Sequence, residues 1–280
     1  MNEKQLHRIG KILNHLSIVF PWLVGNILFF FFTKPLKKIG FTKHRIQFLN
    51  KSNKQVLKIG QHRIAYYHWP GDGPNVLLLH GWESNSGRWK SLVDTLTQSS
   101  FNVFAFDAPA HGYSGGLRVT PIQFAEIADH FIKTKNIDHI VGHSFGGYTV
   151  IYYGHNYDHS LKSIVALAPT NSIRDVVNGM KKALNLNERT IQAFEKAFVK
   201  HYGSGPDDFD SAEFAKSISI PGLIIHDIGD EVLPIAGSQK IHNNWSQSEM
   251  IETEGLGHRL IRKDVDQSIL HFLSKNIQTS

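Results

Sequence analysis

His139-Ile140-Val141-Gly142-His143-Ser144-Phe145-Gly146-Gly147-Tyr148-Thr149-Val150 is the stretch on which the fold turns. His139–Gly142 reads as a short buried strand, and Phe145–Tyr153 has helical spacing. The string Gly142-His143-Ser144-Phe145-Gly146 joins them, so Ser144 falls at a sharp strand-to-helix turn. A G-x-S-x-G string alone is weak, because composition produces it often by chance. Its position carries the weight. Flanking glycines relieve crowding at such a turn and leave the hydroxyl exposed. The helix N-terminus offers backbone N–H groups and a partial positive charge to an anion.

Strands and helices alternate outward from this junction. Val56–Ile59 and Arg63–Trp69 read as a hairpin about Gly60-Gln61. Asn75–Leu79 and Asn102–Phe106 are continuous apolar runs, the pattern of strands buried on both faces. Leu161–Leu167, Pro221–His226 and Glu249–Thr253 are further strands. Helices are expected at Trp89–Leu96, Pro121–Phe131 (with Thr120 as N-cap), Ser238–Asn244 and Val265–Leu273. The alternation implies an α/β fold with a mostly parallel central sheet flanked by helices. Residues 170–217 interrupt it with no strand-like run, only helices, of which Ile173–Leu184 and Glu188–Val199 are the clearest. An excursion that leaves a strand's carboxyl end is expected to be a small helical cap over the site.

Four further segments agree in order with the α/β-hydrolase superfamily, which the chain resembles over roughly residues 56–275. His80-Gly81-Trp82 is similar to its oxyanion loop. Asp107-Ala108-Pro109-Ala110-His111-Gly112-Tyr113-Ser114 resembles its D-x-P-x-H-G-x-S turn. His226-Asp227-Ile228-Gly229-Asp230 resembles its acid-bearing turn, and Gly255-Leu256-Gly257-His258 its final histidine loop.

The resemblance implies a catalytic triad of Ser144, Asp230 and His258, in the chain order usual for this fold. A serine hydroxyl needs a base to become a nucleophile, which is the role of His258. Asp230 would hold the imidazole tautomer, and the amides of Trp82 and Phe145 would receive the oxyanion. Asp107 is expected to anchor its turn, and Asp227 and Glu231 are the local rivals of Asp230. His80, His111 and His143 read as supporting residues, His226 as a strand end, and Arg88 as a solvated helix residue rather than an anion contact.

The implied function is a serine hydrolase acting on a carboxylic ester or thioester through an acyl-enzyme. The same triad also serves amide, peptide or C–C hydrolysis and acyl transfer. The alternative of another class is a non-catalytic binding module, against which an intact Ser–Asp–His set counts. No cofactor is implied. The 17 histidines show no metal-ligand spacing such as H-E-x-x-H, so no metal is expected. Cysteine is absent, which excludes disulfides, thiolate nucleophiles and Cys-ligated metal sites.

Charge is concentrated at one end. Lys and Arg exceed Asp and Glu by 6, but residues 1–45 carry eight basic residues against the single acid Glu3. The remainder is nearly neutral and has no recurring basic stripe, so a nucleic-acid partner is not expected. Residues 12–33 lack any Asp, Glu, Lys or Arg and end in Phe29-Phe30-Phe31-Phe32. No small-x-small site follows, which disfavours a cleaved signal peptide. A membrane-spanning helix is weakened by Asn14, Pro21, Gly25 and Asn26. An amphipathic helix is the third reading, with Asn14, Ser17, Pro21 and Gly25 on one stripe. Residues 1–45 are therefore expected to be a basic, apolar helical segment that anchors the protein on a lipid surface through 12–33. Lys34, Lys37 and Lys38 would face anionic headgroups, and the body would be cytoplasmic. Packing on the domain or on a second subunit is the alternative.

Overall fold

The computed structural model describes residues 2–37, 40 and 42–277; Lys38 lies outside them. In chain order the helices and strands are α1 (Glu3–Val19), α2 (Pro21–Phe32), α3 (Lys43–Leu49), β1 (Gln55–Ile59), β2 (His62–Trp69), β3 (Asn75–Leu79), α4 (Lys90–Gln98), β4 (Asn102–Phe106), α5 (Pro121–Lys135), β5 (His139–His143), α6 (Phe145–Asn156), β6 (Ser163–Leu167), α7 (Ile173–Leu184), α8 (Glu188–Tyr202), α9 (Ser211–Ala215), β7 (Gly222–Asp227), α10 (Ala236–Asn244), β8 (Ser248–Thr253) and α11 (Lys263–Lys275). The chain divides into two compact units, one of residues 1–34 and 171–210, the other of 35–170 and 211–280.

The larger unit is built on a sheet of order β1-β2-β4-β3-β5-β6-β7-β8. β2 pairs antiparallel with both β1 and β4, and every other pairing is parallel. The central strands read as unbroken apolar runs because both faces are covered. On one face Leu92, Leu96, Ile269 and Phe272 pack with Val76, Leu78, Val103 and Val141. The outer strands β1 and β8 stay partly exposed, and polar residues alternate along them. The register levels the strand ends: Leu79 pairs with both Phe106 and Gly142, and His143 pairs with Leu167. His80, Asp107 and Ser144 therefore leave the sheet along one carboxyl edge, where such folds bind ligands.

α3 is an element that the sequence reading left unassigned. Thr42 caps it, and Phe48 stacks on Trp69 at 4.8 Å between ring centroids. The larger unit thus starts before Val56, and 211–217 belongs to it rather than to the cap excursion.

The smaller unit joins α1 and α2 to α7 and α8. The apolar run at 12–33 is not one helix, because Phe20 leaves helical geometry (φ −125°, ψ 57°) and Pro21 opens α2. Helices of 17 and 12 residues result. At about 1.5 Å per residue neither covers a hydrocarbon core of about 30 Å. Among the described residues no helix is long and apolar enough to cross a membrane. The stripe of small and polar residues is a packing face. Asn14 hydrogen-bonds the Asn185 carbonyl and the Asn187 amide, both at 3.0 Å, and Ser17 Oγ meets Thr190 Oγ1 at 2.8 Å. A Cβ at Gly25 would stand 2.1 Å from the Ala193 carbonyl oxygen, so only glycine lets α2 approach α8 this closely. Phe29 and Phe32 close the contact edge-on against Phe198 and Phe194.

Candidate active site

Ser144 sits between β5 and α6 with φ 55° and ψ −114°, a conformation that L residues rarely adopt. Such strain costs on the order of 1–3 kcal/mol and persists only where the surroundings enforce it. The enforcement is visible. A Cβ on Gly142 would lie 2.2 Å from the Gly146 carbonyl oxygen, and one on Gly146 2.2 Å from that of Leu79. Both glycines are required by close approach of backbones. The Ser144 amide donates to the Leu167 carbonyl at 2.9 Å, tying the turn to the neighbouring strand.

His258 follows β8 in a short 3-10 turn. Its Nε2 lies 3.0 Å from Ser144 Oγ and its Nδ1 2.8 Å from Asp230 Oδ2. Asp230 is buried, and its Oδ1 accepts from the amides of Val232 and Leu233 at 2.8 and 3.0 Å. Burial pushes the Asp230 carboxyl up, but these amides and His258 outweigh it and hold the group below its ordinary value. It therefore stays an acceptor. Because Asp230 takes the Nδ1–H of His258, Nε2 faces Ser144 with a lone pair. The arrangement can draw the proton from Ser144 Oγ.

The loop His80-Gly81-Trp82 lies beside the serine. A Cβ on Gly81 would be 3.1 Å from the Ser144 Cβ, and the Trp82 and Phe145 rings meet edge-on at 5.4 Å. Among the described residues neither the Trp82 nor the Phe145 amide has an acceptor, so both remain open to a ligand oxygen. Glu83 has φ 53°, and its amide donates to His111 Nε2 at 3.0 Å, which fixes the turn just after Trp82. The Glu83 carboxylate caps the amides of Leu36 and Lys37 at 2.8 and 2.7 Å.

The other candidates are structural. Asp107 is buried and accepts from Ser86 N and Oγ, Tyr67 OH and Tyr113 N at 2.8–2.9 Å. Asp227 accepts from Gly229 N, Thr253 Oγ1 and Leu256 N, so it ties β7 to the segment leading to His258. His80 accepts from Ala108 N at Nε2 and donates from Nδ1 to the Gly81 carbonyl. Burial drives it down to about 4, so it is neutral. His143 is also neutral through burial, and its Nε2 meets the His258 carbonyl at 2.7 Å.

Two residues differ from the sequence reading. Arg88 is not a solvated helix residue, for its Nη2 donates to the Arg259 carbonyl at 2.9 Å. His226 does more than end a strand: its Nε2 lies 3.1 Å from Asp230 Oδ2 and 2.9 Å from the Leu233 carbonyl. The spacing of four residues between His226 and Asp230 was the available signal.

The model of the α/β-hydrolase fold family matches residues 74–181. A putative lipase from Acinetobacter baumannii superposes with a TM-score of 0.68 at 20% identity, over 88% of this chain and all of that one. The chain has the α/β-hydrolase fold. The chain is 25% identical over 231 residues to a monoacylglycerol lipase of Mycolicibacterium smegmatis, covering 68% of this chain and 82% of that protein. It is 30% identical over 104 residues to a pimeloyl-[acyl-carrier protein] methyl ester esterase of Vibrio atlanticus, covering 37% of this chain and 39% of that protein.

Proposed function

We propose that this α/β-hydrolase cleaves a carboxylic ester or thioester through an acyl-enzyme. The observation that carries this reading is the continuous relay from Asp230 through His258 to Ser144, at 2.8 and 3.0 Å. Ser144 Oγ adds to the acyl carbon while His258 Nε2 takes its proton. The carbonyl oxygen becomes an oxyanion held by the Trp82 and Phe145 amides, each such donor being worth about 3 kcal/mol in related chemistry. His258 then returns the proton to the departing alcohol or thiol, leaving acyl-Ser144. Water repeats the sequence with His258 as base and releases the acid. Two relatives are named for ester cleavage, a monoacylglycerol and a methyl ester, which supports an ester over an amide. A fluorophosphonate probe should label the wild type at Ser144 and leave Ser144→Ala unlabelled. Labelling elsewhere, or none in a folded wild type, overturns the reading.

A lipid–water interface is the proposed working surface of the smaller unit. α1 turns Gly10, Leu13 and Ser17 inward, leaving Ile9, Ile12, Leu16 and Val19 in solvent. Phe20 and Trp22 at the bend are 54% and 69% exposed. This inverts the usual arrangement of a surface helix, and an uncovered apolar patch marks a contact surface. Beside it Lys4, His7, Arg8, Lys11 and His15 line a cleft of about 560 Å³, which suits anionic headgroups. Co-sedimentation with vesicles containing anionic lipid, lost on substitution of the bend, tests this.

A further inference from the structure

A second cationic feature lies on the larger unit. A cleft of about 520 Å³ opens beside the segment that follows His258, with Arg45, Arg88, Lys90 and Lys263 in its walls. One carboxylate lines it, Asp94, and that group is paired with Lys90. Among the described residues no ion pair involves Arg45, Arg88 or Lys263. Asp266, the acid that acts on Arg88, is hydrogen-bonded by the Ser91 hydroxyl.

Arg88 is the unusual member. Its guanidinium lies over the Trp89 ring at 4.5 Å and spends Nη2 on the Arg259 carbonyl. Its Nη1 is buried with no acceptor. A buried guanidinium donor without an acceptor carries a desolvation cost that a native structure normally offsets with a partner. α3 brings Arg45 against the same wall, where a Cβ on Gly87 would lie 3.1 Å from the Arg45 Cβ. Burial, then repulsion from Arg45 and Arg259, pulls Arg88 down to about 9, and the attraction of Asp266 only partly opposes them.

We propose that this cleft binds a phosphoryl group, with Arg45, Arg88 and Lys263 as its charge partners. Three cations without a direct ion pair match a dianion better than a single carboxylate, and guanidinium forks fit phosphate oxygens. A ligand on Arg88 also reaches the segment that carries His258. Arg88 holds the carbonyl of Arg259, and His143 holds that of His258.

The test is calorimetric titration of inorganic phosphate, and of phenyl phosphate as a soluble monoester, into the full chain at constant ionic strength. Saturable binding with one site is expected, weakened about tenfold by Arg45→Gln and by Lys263→Gln. These substitutions lie at the cleft wall and spare the Arg88 contact with Arg259, whose loss would disturb the fold. Lys133→Gln, which removes a surface pair with Asp129, should change nothing. Ser144→Ala should bind as the wild type does, so failure of the hydrolase reading and failure of this one are distinguishable. If neither anion binds but Arg45→Gln and Lys263→Gln abolish binding to phosphatidic acid vesicles, the phosphoryl group is a headgroup's. Absence of both kinds of binding, or equal loss in Lys133→Gln, overturns the proposal.

Discussion

His226 Nε2 stands 3.1 Å from Asp230 Oδ2, the same oxygen that His258 Nδ1 reaches at 2.8 Å. Both His226 and Asp230 are sealed from solvent. His226 Nδ1 meets Ser238 Oγ at 2.6 Å, and its Nε2–H is shared between Leu233 O and the carboxylate. His226 is thus a positioning residue: it fixes the oxygen that orients His258. Burial holds it neutral, so it adds a hydrogen bond without a competing charge. His226→Phe should lower kcat by about tenfold to a hundredfold while KM changes little, and His226→Asn should recover part of the loss. A loss confined to KM, or one that tracks thermal stability across both variants, would remove this role.

Ser144→Ala should abolish ester hydrolysis, leaving less than about one per cent of the wild-type rate on p-nitrophenyl esters. Ser144→Gly should do the same and also raise the melting temperature, because glycine relieves the left-handed conformation at φ 55°. A gain of about 1 kcal/mol is expected. A Gly variant no more stable than the Ala variant would show that the turn carries no strain.

Asp230→Asn should preserve the fold but lower turnover by orders of magnitude, since the amide no longer enforces the Nδ1–H tautomer of His258. Asp107→Asn should act on stability instead, because Asp107 joins Ser86, Tyr67 and Tyr113 and does not touch His258. If the folded Asp107 variant showed the kinetic loss and Asp230→Asn did not, the two roles would be exchanged.

Acid should destabilise the larger unit through His80 and His139. Burial holds both down to about 4 in the folded chain. An unfolded histidine titrates near 6.5, so below that pH the unfolded chain takes up protons that the folded chain refuses. Stability is therefore fully present above about 6.5 and is lost as pH falls toward about 4, with a slope of up to about 1.4 kcal/mol per pH unit for each group. Asp107, which burial pushes up, works in the opposite direction. Thermal melts between pH 7 and pH 4.5 should show a flatter decline for His139→Leu than for the wild type; parallel curves would rule His139 out.

The central sheet and the Ser144–Asp230–His258 constellation were legible because each rests on a local signal. Asn75–Leu79 and Asn102–Phe106 are strands over the expected bounds, since a strand buried on both faces has no choice but continuous apolar side chains. The loops after β5, β7 and β8 carry their own turn chemistry. What escaped was long-range. The periodicity of Asn14, Ser17 and Gly25 is the same whether that face meets headgroups or another helix, and only α8 in place decides between them. Arg88 and α3 escaped likewise, because their partners lie far along the chain at Arg259 and Trp69.

The N-terminal helices carry the last prediction. If residues 1–45 were only an anchor, a chain beginning near Thr42 would stay folded. The structure separates two roles. Phe29 and Phe32 pack on Phe198 and Phe194, so such a truncation uncovers the faces of α7 and α8 and should unfold the smaller unit, seen as lost helicity and protease cleavage within 171–210. Membrane binding is read instead with substitutions that leave this packing intact. Trp22 and Phe20 project into solvent, so Phe20→Ser with Trp22→Ser should keep the melting temperature within about 1–2 °C. Removing two aromatic side chains from an interface forfeits about 2–3 kcal/mol each, so vesicle binding should fall by at least about a hundredfold. Lys4→Gln with Lys11→Gln should weaken binding to anionic vesicles, by about 1 kcal/mol per charge, and leave neutral vesicles unaffected. A wild-type protein that ignores vesicles while the double serine variant changes its sedimentation coefficient would make this face a contact between two copies of the chain instead.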